Sequence, residues 1–170
     1  PIELMENCPL KKLIVALALF VSAGISAGVG AGGASAGVPE GLIAYRAGNY
    51  ALAIQELAEA AKTGNAEAQF LTGTSYASAK PPLKDLERAK SWLKKAAEQQ
   101  YSQAYYWLGN VHMFQSGTRD EVKAAPWYGK AAERGHPEAQ FLLGMILFSS
   151  KTVPQDRTEA YKWIALAARG

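Results

Sequence analysis

Two histidines are the residues of this sequence best suited to catalysis or metal binding, and their surroundings favour neither role. His112 stands between Val111 and Met113 in a helical pattern, without an acid or nucleophile motif nearby, so a packed or half-exposed helix residue is the better interpretation. His136 precedes Pro137 at a predicted helix start, where proline fits the first helical position. We therefore expect a turn or capping role for His136.

Cysteine is nearly absent from the chain. The single cysteine, Cys8, lies near the N-terminus, ahead of the predicted folded part. Two histidines without cysteines at ligand spacing predict no zinc site, and one cysteine excludes a disulfide framework. Neither a Gly-rich phosphate loop nor an HExxH motif occurs in the sequence. We expect no catalytic residues, no metal site and no cofactor, and hence a non-enzymatic function.

The composition fits one ordinary domain with a packed core. The chain has 170 residues, of which 49% are hydrophobic and 19% are charged, so wholesale disorder is not expected. The net charge of +3 is small, and the basic residues are scattered along the chain. Nucleic-acid binding requires a basic stripe or patch, so we expect no nucleic-acid partner.

The N-terminal segment, residues 1–36, has the layout of a secretory signal peptide with a flexible Gly/Ala-rich lead-in. Two lysines precede a short apolar run at residues 13–21, and small residues follow. Cleavage is expected after Ala27, with Ala36 as the alternative. Met5 is the expected start of the chain.

An uncleaved membrane anchor is the competing interpretation of this segment. Residues 13–38 carry no charge and are numerous enough to span a bilayer. Their second half consists mainly of Gly, Ala and Ser, and glycine is a poor helix former, which favours the cleaved signal. Both interpretations place the rest of the chain outside the cytoplasm, in a bacterial periplasm or secreted, and an anchor would be its only contact with a membrane.

From residue 38 onward, apolar residues recur at helical spacing, and no alternation of period two is sustained. The order of residues also repeats: Trp92, Trp127 and Trp163 are 35 and 36 residues apart. Further sets of residues keep nearly the same steps: Asp85, Asp120 and Asp156; Ala68, Ala104 and Ala139; Gly73, Gly109 and Gly144.

The repeated unit predicts a pair of helices. Each aspartate is placed to cap a second helix, whose N-terminal N–H groups it can accept. Glycine in the first helix and Ala-Ala in the second are expected to let the two helices of a pair approach closely. One pair cannot bury its apolar face alone, whereas stacked pairs can. The sequence predicts an all-α solenoid of antiparallel helix pairs over residues 37–170, with about three and a half repeats.

The order Ala, Leu-Gly, Tyr, Asp, Ala, Trp-Tyr, Lys-Ala-Ala, Gly resembles the Sel1-like repeat (SLR), a relative of the tetratricopeptide repeat. The match is closest at residues 120–144, which contain WYGKAAERG, and it extends over residues 38–170. Two departures are Thr72, which stands where leucine is usual, and Gln100, which stands where other repeats have glycine. The resemblance implies a right-handed superhelix that binds a protein or peptide.

The resemblance also implies where a partner binds. In the tetratricopeptide fold the first helices line a concave groove, and the ligand-facing positions keep a set phase relative to the small residue. On this chain that phase selects Glu67, Phe70, Thr74, Gln103, Tyr106, Asn110, Met113, Glu138, Phe141 and Met145. The alternative is that the three aromatic rings of this set belong to the core, as hydrophobic rings at helical spacing usually do.

These features predict an exported, non-catalytic adaptor, and two alternatives stay open. One branch of the resembled family is cysteine-rich, and β-lactam binding or hydrolysis is attributed to it; the lack of paired cysteines weakens such a cell-envelope hydrolase here. The other alternative is a structural subunit of an envelope assembly. It would dock through the end of the last repeat, residues 163–170, where Ile164 and Leu166 are expected to be exposed.

Overall fold

The computed structural model describes residues 37–114 and 119–170; the leader predicted for residues 1–36 lies outside them. The described part contains helices and no strand, which confirms the all-α prediction. None of its helices is both long and apolar enough to cross a bilayer. In chain order the helices are α1 (Val38–Arg46), α2 (Tyr50–Lys62), α3 (Ala66–Ser78), α4 (Leu86–Glu98), α5 (Ser102–Phe114), α6 (Glu121–Ala132), α7 (Pro137–Ser149) and α8 (Arg157–Ala167).

Asparagine and aspartate side chains cap five of these helices. Asp85, Asp120 and Asp156 accept hydrogen bonds from backbone N–H groups in the first turns of α4, α6 and α8. Asn49 and Asn65 cap α2 and α3 in the same way. A cap of this kind stabilises a helix by about 1 kcal/mol. The helix starts predicted from the aspartate spacing are therefore confirmed.

Consecutive helices form hairpins, α1 with α2, α3 with α4, α5 with α6 and α7 with α8. In every hairpin a glycine of the first helix lies directly against a side chain of the second. A Cβ atom at Gly109 would come within 2.5 Å of the Tyr128 ring, so only glycine fits there. The equivalent contacts join Gly41 to Leu57, Gly73 to Leu93, and Gly144 to Ile164.

The alanine pairs of the second helices serve a different contact from the one expected of them. Ala96 and Ala97 of α4 are buried. The backbone N–H of Tyr101 donates to the Ala96 carbonyl at 3.1 Å, and the Tyr105 hydroxyl donates to the Ala97 carbonyl at 2.9 Å. Tyr105 belongs to α5, the first helix of the following repeat, and Tyr101 directly precedes that helix. The alanine pairs therefore let successive repeats come close, whereas the glycines serve the contact within each hairpin.

The core continues from one hairpin to the next. One group of buried side chains joins α1, α2 and α3 around Leu57, and another joins α4 to α7 around Leu93, Leu108 and Tyr128. Phe70 of α3 packs against both groups. Each repeat thus buries its apolar surface against its neighbours, as a solenoid requires.

Candidate functional site

The predicted binding surface lies on the first helices of three repeats, α3, α5 and α7. Glu67, Gln103 and Glu138 occupy equivalent positions in the first turns of these helices, and all three are exposed. Each repeat therefore presents one polar side chain to solvent at the same place. We call these three residues, together with the rings of Phe70, Tyr106 and Phe141, the first-helix face.

Two rings of the first-helix face are partly covered by the residue that directly precedes the next first helix. The Phe70 ring lies 5.0 Å from the Tyr101 ring, and the Tyr106 ring stacks on His136 at 4.5 Å between centroids. Phe70 and Tyr106 are half-buried, whereas Phe141 of the third repeat is 49% exposed. The rings therefore contribute to the packing between repeats and also reach the surface.

Two of the ten predicted residues belong to the core, and their selection as partner contacts was wrong. Thr74 is fully buried, and its hydroxyl donates to carbonyl groups of its own helix. Met113 is 2% exposed. The equivalent residues of the last repeat, Met145 and Phe148, are 40% and 37% exposed. The difference indicates that neighbouring repeats cover Thr74 and Met113. The sequence analysis missed Phe148, although its position in the repeat could have indicated it.

Asn110 is half-buried, and a buried residue of α6 hydrogen-bonds to its side chain. Its Oδ1 accepts a hydrogen bond of 2.8 Å from the hydroxyl of Tyr128, whose side chain is fully buried. Burial raises the pKa of Tyr128 above its ordinary value, so the phenol stays protonated and remains a donor. The bond fixes the orientation of the Asn110 amide beside Tyr106, whose ring lies 6.2 Å from that of Tyr128.

A cleft of about 610 Å³ opens where the first-helix face meets the end of the fourth hairpin, α7 with α8. Tyr106, Glu138 and Phe141, three residues selected from the sequence, line one side of it. The other lining residues are Pro137, Leu142, Ile164, Ala167 and Ala168. The site prediction missed the α8 residues because it considered first helices alone; the signal for them was the alanine pair 167–168, the counterpart of the pair at 96–97.

The family model named Sel1 repeat matches residues 66–101, 102–136 and 137–170. These ranges coincide with the hairpins α3–α4, α5–α6 and α7–α8. The chain belongs to the Sel1 repeat family. The resemblance drawn from WYGKAAERG and the glycine and aspartate spacings is confirmed, and proteins of this family typically serve as protein-interaction scaffolds.

Two solved structures share the fold. A protective antigen present in uropathogenic Escherichia coli strains, which displays an SLR fold, is 38% identical with a TM-score of 0.61; the match covers 68% of this chain and 25% of that chain. A Sel1 repeat protein from Oxalobacter formigenes is 29% identical with a TM-score of 0.60, and the match covers 68% and 88% of the two chains. The match thus spans a quarter of the antigen's length. None of the curated proteins matches the sequence.

The two histidines take structural positions in the second Sel1 repeat, residues 102–136. His136 is the N-cap residue of α7 without a capping side-chain bond; its Nδ1 lies 3.0 Å from a Glu138 oxygen but lacks hydrogen-bond geometry. His112 is half-buried in α5, and burial, followed by the positive charge of Lys90, lowers its pKa. Over residues 37–114 and 119–170, no three His, Cys, Asp or Glu side chains are grouped to hold a metal ion.

The second helices of the Sel1 repeats carry a different surface, formed by the tryptophans of the repeat. Trp92 and Trp127 occupy equivalent places in α4 and α6, and the Nζ atoms of Lys95 and Lys130 lie 4.2 and 4.7 Å from their ring centroids. Cation–π pairs of this kind contribute about 0.5–1 kcal/mol at exposed sites. These ring faces are therefore occupied by the chain's own lysines.

Proposed function

We propose that this chain is an exported, non-catalytic scaffold that binds a protein or peptide through its first-helix face. The observation that carries the proposal is the exposed row of Glu67, Gln103 and Glu138 beside partly exposed rings. Aromatic anchors surrounded by polar groups suit an extended peptide or a partner helix. Asn110 and Met145, also accessible, extend this surface toward the C-terminal ends of α5 and α7.

Two further observations support the proposal. Sel1 repeats generally mediate protein–protein interaction, which fits a binding role better than catalysis. Export is supported by the signal-peptide pattern of residues 1–36 and by the similarity to a protein described as a protective antigen. The partner would then be a protein of the cell envelope or of the extracellular space.

Quantitative affinity capture from the native envelope fraction tests the proposal. The bait variant Glu67→Lys with Gln103→Lys places two lysines in the first turns of α3 and α5, on the first-helix face and away from the cleft. We expect the specifically captured protein to fall by at least about tenfold, since burying unpaired lysine charges in an interface readily costs more than about 1.4 kcal/mol.

The matched control is Glu87→Lys with Val122→Lys. It makes the same change in charge in the first turns of the second helices α4 and α6, where both residues are exposed. Capture by this control should equal that of the wild type, with both variants folded by circular dichroism. Equal capture by all three baits would remove the first-helix face as the binding surface.

A further inference from the structure

Charge is segregated between the two kinds of helix in the three Sel1 repeats. The first helices α3, α5 and α7 contain Glu67 and Glu138 but neither lysine nor arginine. Every lysine and arginine within the helices α3 to α8 lies instead on a second helix, α4, α6 or α8. The chain as a whole has a net charge of +3. The first helices of these repeats therefore carry negative charge on a chain that is positive overall.

The aromatic rings of the two kinds of helix differ in the same way. In α8 the Nζ atom of Lys162 lies 5.6 Å from the Trp163 centroid, so this tryptophan, like Trp92 and Trp127, has a cation of the chain beside its ring. Over residues 37–114 and 119–170, no lysine or arginine lies over a ring of the first-helix face. The rings of that face are therefore available to cations from outside the chain.

Phe70 and Tyr101 form the first of two ring pairs on this face, with centroids 5.0 Å apart. Both side chains are half-buried, so part of each ring meets solvent. Burial, and then the negative charge of Glu67, raises the pKa of Tyr101, which places the Glu67 carboxylate within electrostatic reach of the pair. Glu67 is exposed. The first ring pair thus has an accessible carboxylate beside it.

Tyr106 and His136 form the second ring pair, with centroids 4.5 Å apart and planes 18° from parallel. A carboxylate oxygen of Glu138 lies 3.0 Å from the Nδ1 atom of His136, and the Glu138 side chain is 66% exposed. Glu67 and Gln103, the counterparts of Glu138, are exposed although another repeat follows each of them. Both ring pairs therefore lie between consecutive repeats and have an accessible carboxylate beside them.

A ring next to a carboxylate suits a cationic side chain. A guanidinium group stacks on aromatic rings and donates two parallel hydrogen bonds to a carboxylate, and an ammonium group is attracted to both. We propose that each ring pair, with its glutamate, binds an arginine or lysine of the partner, so that the segment recognised by the first-helix face is basic. The proposal rests on the scaffold function above and specifies the chemistry of its partner.

Selection from a displayed library of random peptides tests the charge of the bound segment without knowledge of the partner. The library is selected on the immobilised full chain. Arginine and lysine should occur in the selected peptides at least about twice as often as in the starting library, because local complementarity outweighs the net positive charge of the chain. Selected peptides that are neutral or acidic would overturn the proposal, and so would the absence of any selected peptide.

The selected peptide, labelled for fluorescence anisotropy, is then titrated with variants of the chain. Glu67→Gln with Glu138→Gln removes both carboxylates at nearly constant size and should weaken binding by at least about fivefold. The matched control is Glu87→Gln with Glu133→Gln, which removes two exposed carboxylates on or directly after second helices. It should bind like the wild type, with both variants folded by circular dichroism. Equal binding by all three chains would overturn the proposal.

A change in the peptide tests the role of the cation itself. Citrulline has nearly the shape of arginine but no charge, and its substitution for the arginines of the selected peptide should weaken binding by at least about tenfold. Unchanged binding would contradict recognition of a cation. A dimer of the chain alone that Glu67→Gln with Glu138→Gln converts to a monomer would also overturn the proposal, since a second copy would then occupy the face.

The basic partner and the scaffold function fail in different ways. Partner capture that falls with Glu67→Lys and Gln103→Lys but does not respond to Glu67→Gln with Glu138→Gln would leave the first-helix face intact and remove the cation sites. Capture that responds to neither pair would remove the first-helix face as the surface for the partner, whatever peptides the selection yields. The charge of the segment and the location of the surface are therefore tested separately.

Discussion

Individual glycines of this chain are required for two different reasons. Gly73, Gly109 and Gly144 lie in helices where any Cβ would collide with the neighbouring helix. Gly64 and Gly135 have open space around them but adopt positive φ angles of 99° and 80°, which side chains disfavour. Gly129, in the interior of α6, has neither constraint.

Substitution by alanine should distinguish Gly109, which lies against the neighbouring helix, from Gly129, which has open space around it. Gly109→Ala forces its Cβ onto the Tyr128 ring and should lower the free energy of unfolding by about 1–3 kcal/mol. Gly129→Ala should raise it by roughly 0.5–1 kcal/mol, because alanine is the better helix former. Urea unfolding followed by circular dichroism measures both. Equal effects of the two changes would contradict the close approach of α5 and α6.

Gln100 adopts a φ of 61° at the position that Gly64 and Gly135 occupy in the other repeats. A glutamine in this left-handed conformation is strained by about 1 kcal/mol, so Gln100→Gly should stabilise the chain by roughly 0.5–1 kcal/mol. Gln99, whose φ is −87°, serves as the comparison, and Gln99→Gly should destabilise. A melting temperature that falls for Gln100→Gly would show that the turn does not need the left-handed conformation.

His112 should make stability depend on pH in a defined direction. Burial, and then Lys90, Lys123 and Lys94, lower its pKa, which the charge of Asp120 opposes. The unfolded chain then binds the proton more readily than the folded chain, so stability is lost as pH falls through 6.5, the ordinary histidine value. The variant His112→Gln should gain stability relative to the wild type between pH 7.5 and 5. A difference that stays constant over this range would contradict the shift.

At the scale of the element, each second helix contacts two neighbouring helices through two separate sets of residues. In α4, Ala89 and Leu93 contact Gly73 of the same repeat, whereas Ala96 and Ala97 contact the first helix of the next repeat and the residue before it. The recurrence of small residues in the sequence indicated close approach. Residue spacing alone could not show whether the alanine pair of α4 contacts α3 or α5, because both helices adjoin α4 along the chain.

The hydrogen bond between repeats can be removed by deleting a single oxygen atom. Tyr105→Phe deletes the hydroxyl that donates to the Ala97 carbonyl and should lower the free energy of unfolding by about 0.5–1.5 kcal/mol. Tyr161→Phe, at a side chain that is 62% exposed in α8, is the matched control and should have no measurable effect. Denaturant unfolding of the two variants in parallel measures the difference. Equal stability of the two would remove this bond as a contributor to stacking.

At the scale of the whole molecule, the regular recurrence of tryptophan, aspartate and glycine, at positions such as Trp92, Asp120 and Gly144, was sufficient to predict an all-α stack of hairpins. These residues repeat because each hairpin meets the same neighbours. Binding residues were harder to predict, since Thr74 and its counterpart Met145 share a repeat position but differ in what covers them. The exposure of Ala168, the counterpart of the buried Ala97, can be recognised only when the neighbours of each repeat position are known.

Site-directed photo-crosslinking tests most directly whether the first-helix face recognises a partner protein. A benzophenone amino acid at Gln103, exposed on α5, is compared with one at Lys94, exposed on the second helix α4. Irradiation in the native cell should yield a partner adduct from position 103 and none from position 94. Adducts formed equally at both positions, or at position 94 alone, would contradict the account.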